Sequence, residues 1–260
     1  MTKYSDWIIY FRNNTWPDEA LPWASSSPLS AGERSRVMRS MQQFQLGEWS
    51  EGRTLLDLAR RHAAGGKFPD LVDSMRLFIA EEQRHSAMLG KFLDRENISR
   101  IERDVIDRIF RRLRRLAGFE TMITVLVSAE CIALPYYAAL HDATKCPLLR
   151  ALCRRIQRDE DMHYCYQGYT LGFFSRTRGF WSESLVRSLH RLLVLGLGTV
   201  VFTHHRALFR AAGFSLARFL GMAFQALAQI EQRLGSNVIV GIGWSNPPRW
   251  GRHAPGPAGG

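Results

Sequence analysis

The sequence has few of the features that mark secreted, fibrous or membrane-spanning chains. Its four cysteines include no Cys-x-x-Cys pair and fall within helical patterns, so reduced thiols are expected rather than disulfides. The longest strongly apolar stretch, Leu192 to Phe202, has 11 residues, whereas a membrane span needs ~20. We therefore expect a buried helix segment there. The N-terminus has only a short apolar run and no small-residue cleavage site, which predicts a cytoplasmic protein without a transmembrane segment.

Lysine is also scarce, since 31 of the 35 basic residues are arginine, while the formal net charge is +11. The basic residues are densest in the run from Arg111 to Arg115. This charge is compatible with binding to nucleic acid, a carrier protein, an anionic membrane surface or an acidic substrate. It is equally compatible with a role in solubility alone. The charge does not choose among these partners.

No Pro/Gly/Ser-rich linker divides the middle of the 260 residues, and no alternating strand pattern is present. These absences predict one all-α domain, residues 34–235. An irregular lead-in is predicted over residues 1–33, where Trp-Pro, Leu-Pro-Trp and Ser-Ser-Ser-Pro occur. Residues 236–260 are rich in Pro and Gly and predict a flexible tail.

Within the predicted domain, apolar residues recur at helical spacing. A first helix is predicted over residues 34–64 and ends at Gly65-Gly66. The further predicted helices are one opening at Phe68-Pro69-Asp70, a basic crossover helix over 105–116, one ending near Lys145-Cys146-Pro147, one following it, a long one after Gly179 and one running from the break at Gly213 to Leu234.

Two Glu-x-x-His motifs lie on predicted apolar helix faces, Glu82 with His85 and Glu160 with His163. On a helix, residues three apart lie on one face, so each motif places a carboxylate beside an imidazole. One such motif is weak evidence because short motifs arise by chance. The repetition of the motif in a matched helical setting is stronger evidence.

Each motif also has a glutamate partner on the preceding helix. Glu51 lies 31 residues before Glu82, and Glu130 lies 30 residues before Glu160. The midpoints of both pairs fall in the predicted turns, so each glutamate is level with its motif in an antiparallel helix pair. Glu48 lies on the same stripe as Glu51 but one turn away, and it is kept as an alternative or additional carboxylate.

Buried carboxylates and imidazoles in such numbers require compensating cations, because each unpaired buried charge costs several kcal/mol. No comparable set of Lys or Arg lies on these stripes, whereas two divalent metals would balance four carboxylates. Oxygen-rich ligation with one histidine per metal favours iron or manganese over zinc. The candidate metal ligands, which are also the candidate catalytic residues, are Glu51, Glu82, His85, Glu130, Glu160 and His163.

These residues resemble the ligands of the ferritin-like di-iron carboxylate proteins, which include ribonucleotide reductase small subunits, bacterial multicomponent monooxygenases and acyl-carrier-protein desaturases. The resemblance covers residues 34–172, and the motif at 80–85 is especially similar to plant-type desaturases. It implies a ferritin-like four-helix bundle with a crossover helix and two additional C-terminal helices. It also implies that Asp159 orients His85 and that Glu81 orients His163.

The function implied by this resemblance is that of an O₂-activating non-haem di-iron oxidase or oxygenase. Its cofactors would be two iron ions, with manganese able to replace one or both. Its partners would be dioxygen, a small-molecule or carrier-tethered substrate and an electron donor such as a reductase or ferredoxin, and a homodimer is compatible with it. The alternative is a ferroxidase or iron-handling protein without an organic substrate, but the added helices favour an enclosed substrate pocket.

Other residues near this site have two interpretations each. Pro135 either opens space beside Glu130 or curves a long helix around the core. Tyr137 is a core aromatic or a redox-active tyrosine, as are the nearby Tyr136, Tyr164 and Tyr166. His204 and His205 are structural or supply one more ligand, as in the similar arylamine oxygenases.

Overall fold

The computed structural model describes residues 3–15, 21–24, 27–49, 52–115 and 118–234. Every regular element in these ranges is an α-helix, and no strand occurs among them, so the all-α prediction is confirmed. The helices are α1 (Tyr4–Asn13), α2 (Ala31–Glu48), α3 (Arg53–Ala63), α4 (Leu71–Arg95), α5 (Val105–Arg115), α6 (Phe119–Ala143), α7 (Pro147–Ser175), α8 (Phe180–His204), α9 (Arg206–Ala211) and α10 (Leu216–Leu234).

Local chemistry explains where the main helices begin. The Ser30 hydroxyl accepts the backbone N–H of Glu33, and the Glu33 carboxylate accepts the backbone N–H of Ser30, which together cap α2. Pro147 lies in the first turn of α7, where its missing N–H removes no helical hydrogen bond. Gly65 and Gly66 both have left-handed φ angles and form the predicted turn before α4.

The lead-in contains a helix, so the prediction of an irregular segment over residues 1–33 is wrong at α1. Tyr4, Trp7, Ile8 and Phe11 are spaced as one helical stripe, and all four are buried. This stripe packs α1 against α4. The signal was present in the sequence, but the Pro/Ser-rich composition of the following residues obscured it. The predicted tail, residues 236–260, lies outside the described residues.

The helix predicted over residues 34–64 is in fact two helices, α2 and α3. Gly52 precedes α3 with a φ of 66°, a conformation that ordinary side chains disfavour. A Cβ built on Gly52 would lie 2.5 Å from the side chain of Ile79, so α4 also passes too close for a side chain there. The helix is therefore interrupted between Glu48 and Arg53, and the apolar stripe does not continue along one helix as the periodicity predicted.

The long helices α2, α4, α6 and α7 form the bundle around the ionisable residues. Helix α6 packs along α7, α2 packs along α4, and α4 also contacts α7. Helix α5 packs on α2 and α6, whereas α10 packs on α6, α7 and α8. Apolar clusters that include Tyr137 and Tyr166 fill the interior on both sides. The polar faces of α4 and α7 therefore meet in an interior that is otherwise filled by these two apolar clusters.

Helix α8 is more exposed than the buried segment predicted for Leu192–Phe202. Val194 and Val201 are buried, but Leu192 is 62% exposed and Leu195 is 41% exposed. Helices α6 and α8 are both long and apolar enough to cross a membrane by length and composition, and 78% of the apolar window of α6 is buried against 28% for α8. Helix α6 is a core helix of the bundle. The prediction of burial is wrong for one face of α8.

Candidate metal centre

Helices α4 and α7 bring the two Glu-x-x-His motifs together inside the bundle. One ligand atom from each of Glu82, His85, Glu160 and His163 lies within 4.8 Å of the others. Both imidazoles and the Glu160 carboxylate are fully buried. Because residues three apart share a helix face, each helix presents its carboxylate and imidazole side by side. The cluster could therefore hold a metal ion.

Each histidine of the cluster is oriented by an acid from the opposite helix. The Nε2 atom of His85 lies 3.0 Å from Oδ2 of Asp159, and the Nε2 atom of His163 lies 3.2 Å from Oε2 of Glu81. Both predicted pairings are confirmed. With Nε2 donating to an acid, the Nδ1 atom of each ring is the one left for a metal, which is the usual role of such a hydrogen bond.

The two orienting acids are themselves held by a polar network on the outer side of the cluster. The Asn14 amide at the C-terminal end of α1 donates to both Glu81 and Asp159. Arg155 donates to Asp159 at 2.9 Å and Arg84 donates to Glu81 at 2.8 Å, so each acid has a cationic partner. Sequence reasoning missed Asn14, because it lies in the lead-in predicted to be irregular.

Glu130 joins the cluster from α6. It is buried, and the amide of Gln167 donates to its Oε1 atom at 2.8 Å. Burial, followed by repulsion from the carboxylates of Glu160 and Glu82, raises the pKa of Glu130 well above its ordinary value. The structure thus places Glu130 next to Glu160, at the level that the turn symmetry predicted.

Glu48, the residue kept as an alternative to Glu51, lies at the cluster. Its carboxylate accepts a hydrogen bond of 2.5 Å from the Tyr137 hydroxyl, and it lies beside the Glu82 carboxylate. Glu51 lies outside the described residues. The symmetry argument that preferred Glu51 assumed one continuous helix, whereas α2 ends at Glu48. Glu48 is therefore the α2 carboxylate that the structure brings to the motifs.

The pKa shifts of the cluster indicate a site that favours added positive charge. Burial, followed by repulsion from neighbouring carboxylates, raises the pKa values of Glu48 and Glu130. Burial alone would lower the pKa of His85, but the adjacent carboxylates of Asp159 and Glu160 outweigh burial and raise it to about 10. The raised pKa values of Glu48, Glu130 and His85 all favour the protonated form of the side chain. Protons or metal cations can supply the charge.

Five buried atoms without hydrogen bonds belong to the four motif residues, and they are atoms that a metal could bind. Among buried side-chain atoms, Nδ1 of His85, Nδ1 of His163, Oε1 of Glu82 and both carboxylate oxygens of Glu160 have no hydrogen-bond partner. The Nδ1 atom of His163 lies 2.6 Å from Oε1 of Glu82, but the two are not aligned as a hydrogen bond. Buried polar atoms normally have partners, so this concentration of unsatisfied ligand atoms fits a metal site.

The paired histidines at the end of α8 are not part of this cluster. His205 Nδ1 lies 2.8 Å from the Ser40 hydroxyl, and burial lowers the pKa of His205 to about 3, so the ring is neutral. His204 Nε2 lies 2.7 Å from the amide nitrogen of Gln43. Tyr136 stacks on Phe44 as a core aromatic. Among the described tyrosines, Tyr137 is the one that hydrogen-bonds Glu48.

A cavity of about 560 Å³ adjoins the cluster. Three carboxylates of the cluster, those of Glu48, Glu82 and Glu130, form part of the cavity wall. Most of the remaining wall is apolar, and it includes side chains of α4 and α6. The largest of these apolar residues are Trp49, Phe44, Phe78, Phe110, Met122, Leu55, Ile79, Leu126 and Ile132. An organic molecule in this cavity would be in contact with the carboxylates.

The chain matches no protein-family model, and no curated protein matches it. The interpretation of the centre therefore depends on the geometry of its own residues.

Proposed function

We propose that the protein is an O₂-activating non-haem di-iron oxidase or oxygenase of the ferritin-like type. The observation that carries this proposal is the meeting of two Glu-x-x-His motifs, each with its imidazole held by an acid on the opposite helix. With Glu48 from α2 and Glu130 from α6, the site offers four carboxylates and two imidazoles. This is the donor set of two-metal carboxylate sites in helix bundles.

The arrangement of the helices supports the same proposal. Helices α2, α4, α6 and α7 each supply residues to the centre and would be the four core helices of the ferritin-like bundle. Helix α5 connects the second and third of them and would be the crossover helix. Helices α8 and α10 would be the two additions at the C-terminal end.

The donor chemistry favours iron, with manganese as a substitute for one or both ions, because carboxylates dominate and each ion would have one imidazole. Bound iron would supply the electrons that reduce dioxygen. The protein would hold the ligands in place: Tyr137 donates to Glu48, and Gln167 donates to Glu130. Each of these two hydrogen bonds engages the Oε1 atom of its carboxylate.

The cavity supports an organic substrate rather than iron storage. Its apolar residues would bind an organic molecule and exclude water, while Glu48, Glu82 and Glu130 bring the centre to the same space. The proposed reaction is hydroxylation, desaturation or N-oxygenation of that substrate. It requires dioxygen and an electron donor, for which a reductase or a ferredoxin is the proposed partner. Cytoplasmic location stays a prediction.

Iron loading tests this proposal against the ferroxidase alternative. The protein is given roughly a fiftyfold excess of Fe(II), far above the two-ion capacity of a bundle site, exposed to air and passed over a size-exclusion column. We expect about two irons per chain in a small assembly, and about one turnover of O₂ per site without substrate and donor. A large closed assembly that retains tens of irons per chain would overturn the proposal, as would protein that stays metal-free.

A further inference from the structure

Helix α8 has an exposed apolar face. The large apolar residues of α8 that reach the surface are between 41% and 84% exposed. They are Phe180, Trp181, Leu185, Leu189, Leu192, Leu195 and Val200. Single exposed apolar residues are ordinary, but a continuous row of them along one helix is typical of an interaction surface.

The spacing of this face is that of a helix–helix seam. Exposed or half-buried positions 181, 185, 188, 192, 195 and 199 step by four and three alternately, which is a heptad repeat. The residues at these positions are Trp181, Leu185, Ser188, Leu192, Leu195 and Thr199, and none of them is charged. A seam with a period of 3.5 residues is complementary to another helix.

The seam is bulky at one end and small at the other. Its N-terminal half carries Trp181 and Leu185, whereas its C-terminal half carries Gly196, Thr199 and Thr203. A Cβ built on Gly196 would meet no atom within 4 Å, so the space above it is open. Two copies of such a helix fit when they run in opposite directions, because each large side chain then meets a small one.

We propose that α8 pairs with α8 of a second copy of this chain, antiparallel and centred on Leu192, to form a homodimer. In this register Trp181 lies opposite Thr203 of the second copy and Leu185 lies opposite its Thr199. Leu189 lies opposite Leu195, and Leu192 meets its own counterpart at the two-fold axis. The interface is isologous, which is the commonest symmetry of soluble dimers.

The size of the face is adequate for a stable dimer. At 25 residues, α8 is ~37 Å long. The five exposed residues on or beside the seam, Trp181, Leu185, Leu189, Leu192 and Leu195, present on the order of 600 Å² per copy, and twice that area is at the lower end of the ~1,200–2,000 Å² that stable interfaces bury.

Charge at the edges of the seam is already neutralised within each copy. Arg187 pairs with Glu183 at 2.9 Å, and Arg191 pairs with Glu231 at 2.5 Å. Two chains that each carry a net charge of +11 can therefore meet here without bringing unpaired arginines together. Binding to an anionic membrane surface would favour arginines beside the seam that are free to contact lipid headgroups. Arg187 and Arg191 are instead paired with acidic side chains, which favours a protein partner.

Chemical cross-linking tests both the pairing and its direction. Helices in contact lie 8–10 Å apart, so a short bismaleimide reaches between cysteines placed at Leu192 in two copies. We expect Leu192→Cys to cross-link to itself. Trp181→Cys and Thr203→Cys should cross-link when mixed but not alone, because like positions lie ~33 Å apart in an antiparallel pair. Cross-linking of Trp181→Cys to itself would contradict the antiparallel register.

The matched control for cross-linking is Arg60→Cys on α3, which is exposed and lies away from the seam. Background from native thiols is low, because Cys131, Cys146 and Cys153 are buried and Cys165 is partly buried.

The mass in solution gives a second, independent measurement. Light scattering of the wild type should give twice 29.7 kDa, and Leu192→Glu should reduce the mass to 29.7 kDa with the helical circular dichroism unchanged. Ile9→Glu, at another exposed apolar residue, should leave the dimer intact.

Three results would overturn the proposal: a monomeric wild type at micromolar concentration, a Leu192→Glu variant that stays dimeric, or a monomer that sediments with vesicles of anionic phospholipid. None of these measurements depends on bound metal, so failure here is distinguishable from failure of the proposed activity.

Discussion

His85 and Asp159 are 74 residues apart in the sequence, yet Nε2 of the imidazole lies 3.0 Å from Oδ2 of the carboxylate. The equivalent contact joins His163 to Glu81 in the opposite direction between the same two helices. The residue before each motif glutamate therefore serves the histidine of the other motif. The two contacts fix both rings with Nδ1 as the available nitrogen.

Removing an orienting acid should weaken metal binding without removing a ligand. We expect Asp159→Asn and Glu81→Gln each to lower Fe(II) affinity by about 10–100-fold, the usual effect of losing the partner of a metal-bound histidine. Equilibrium dialysis under anaerobic conditions measures this affinity. Glu102→Gln, an exposed glutamate outside the cluster, is the control. Wild-type affinity in both orienting variants would mean that these contacts do not serve a metal site.

Metal stoichiometry tests the motif glutamates directly. The wild type should bind about two Fe(II) per chain, and Glu82→Ala or Glu160→Ala should lose most of one equivalent, because each motif anchors one ion. Elemental analysis after gel filtration provides the count. Glu102→Ala should bind as the wild type does. Equal metal content in the wild type and both motif variants would contradict the assignment.

The comparison of Glu48 with Glu51 tests which carboxylate completes the site. Glu48 is buried at the cluster and accepts the Tyr137 hydroxyl. We therefore expect Glu48→Ala to reduce metal content more than Glu51→Ala does, and Tyr137→Phe to have a smaller effect than either motif variant. The opposite order for the two glutamates would restore the register predicted from a continuous helix.

The periodicity and the paired motifs predicted the long bundle helices and the meeting of the four motif residues, because both depend on local spacing within long helices. The crossed acids were predicted by resemblance. The break before α3 was not predictable in the same way, because it depends on the approach of Ile79 to Gly52, a contact between different helices. Asn14 likewise gains its role only when α1 packs on α4. Exposure of α8 depends on which of its faces the core covers.

A glycine at position 52 should be essential for the stability of the fold. Gly52→Ala would place a methyl group 2.5 Å from Ile79 in a left-handed conformation, so we expect a loss of about 2–4 kcal/mol in unfolding free energy. Chemical denaturation monitored by circular dichroism measures this loss. Gly221→Ala is the matched control, since a Cβ there meets nothing within 4 Å inside α10 and should raise stability by ~0.5–1 kcal/mol. A neutral Gly52→Ala would contradict the close approach.

The Glu33 carboxylate should make stability depend on acid pH. It accepts the backbone N–H of Lys145 at 2.6 Å, as well as groups of Ser30 and Thr144, and these hydrogen bonds lower its pKa from 4.5 to about 2. A carboxyl group with a lowered pKa stabilises the fold above its unfolded pKa, and this stabilisation is lost as pH falls from about 4.5 to about 2.

Glu33→Gln should therefore be less stable than the wild type at pH 7, and the difference should shrink between those two pH values. Because Glu33 is partly exposed and its carboxylate is screened by solvent, we expect only about 1 kcal/mol at pH 7. Denaturant titrations of both proteins at pH 7, 4 and 2.5 measure the difference, and comparison at equal pH cancels the titration of the other acids. A difference that stays constant down to pH 2.5 would show that the cap contributes through its shape alone and not through its charge.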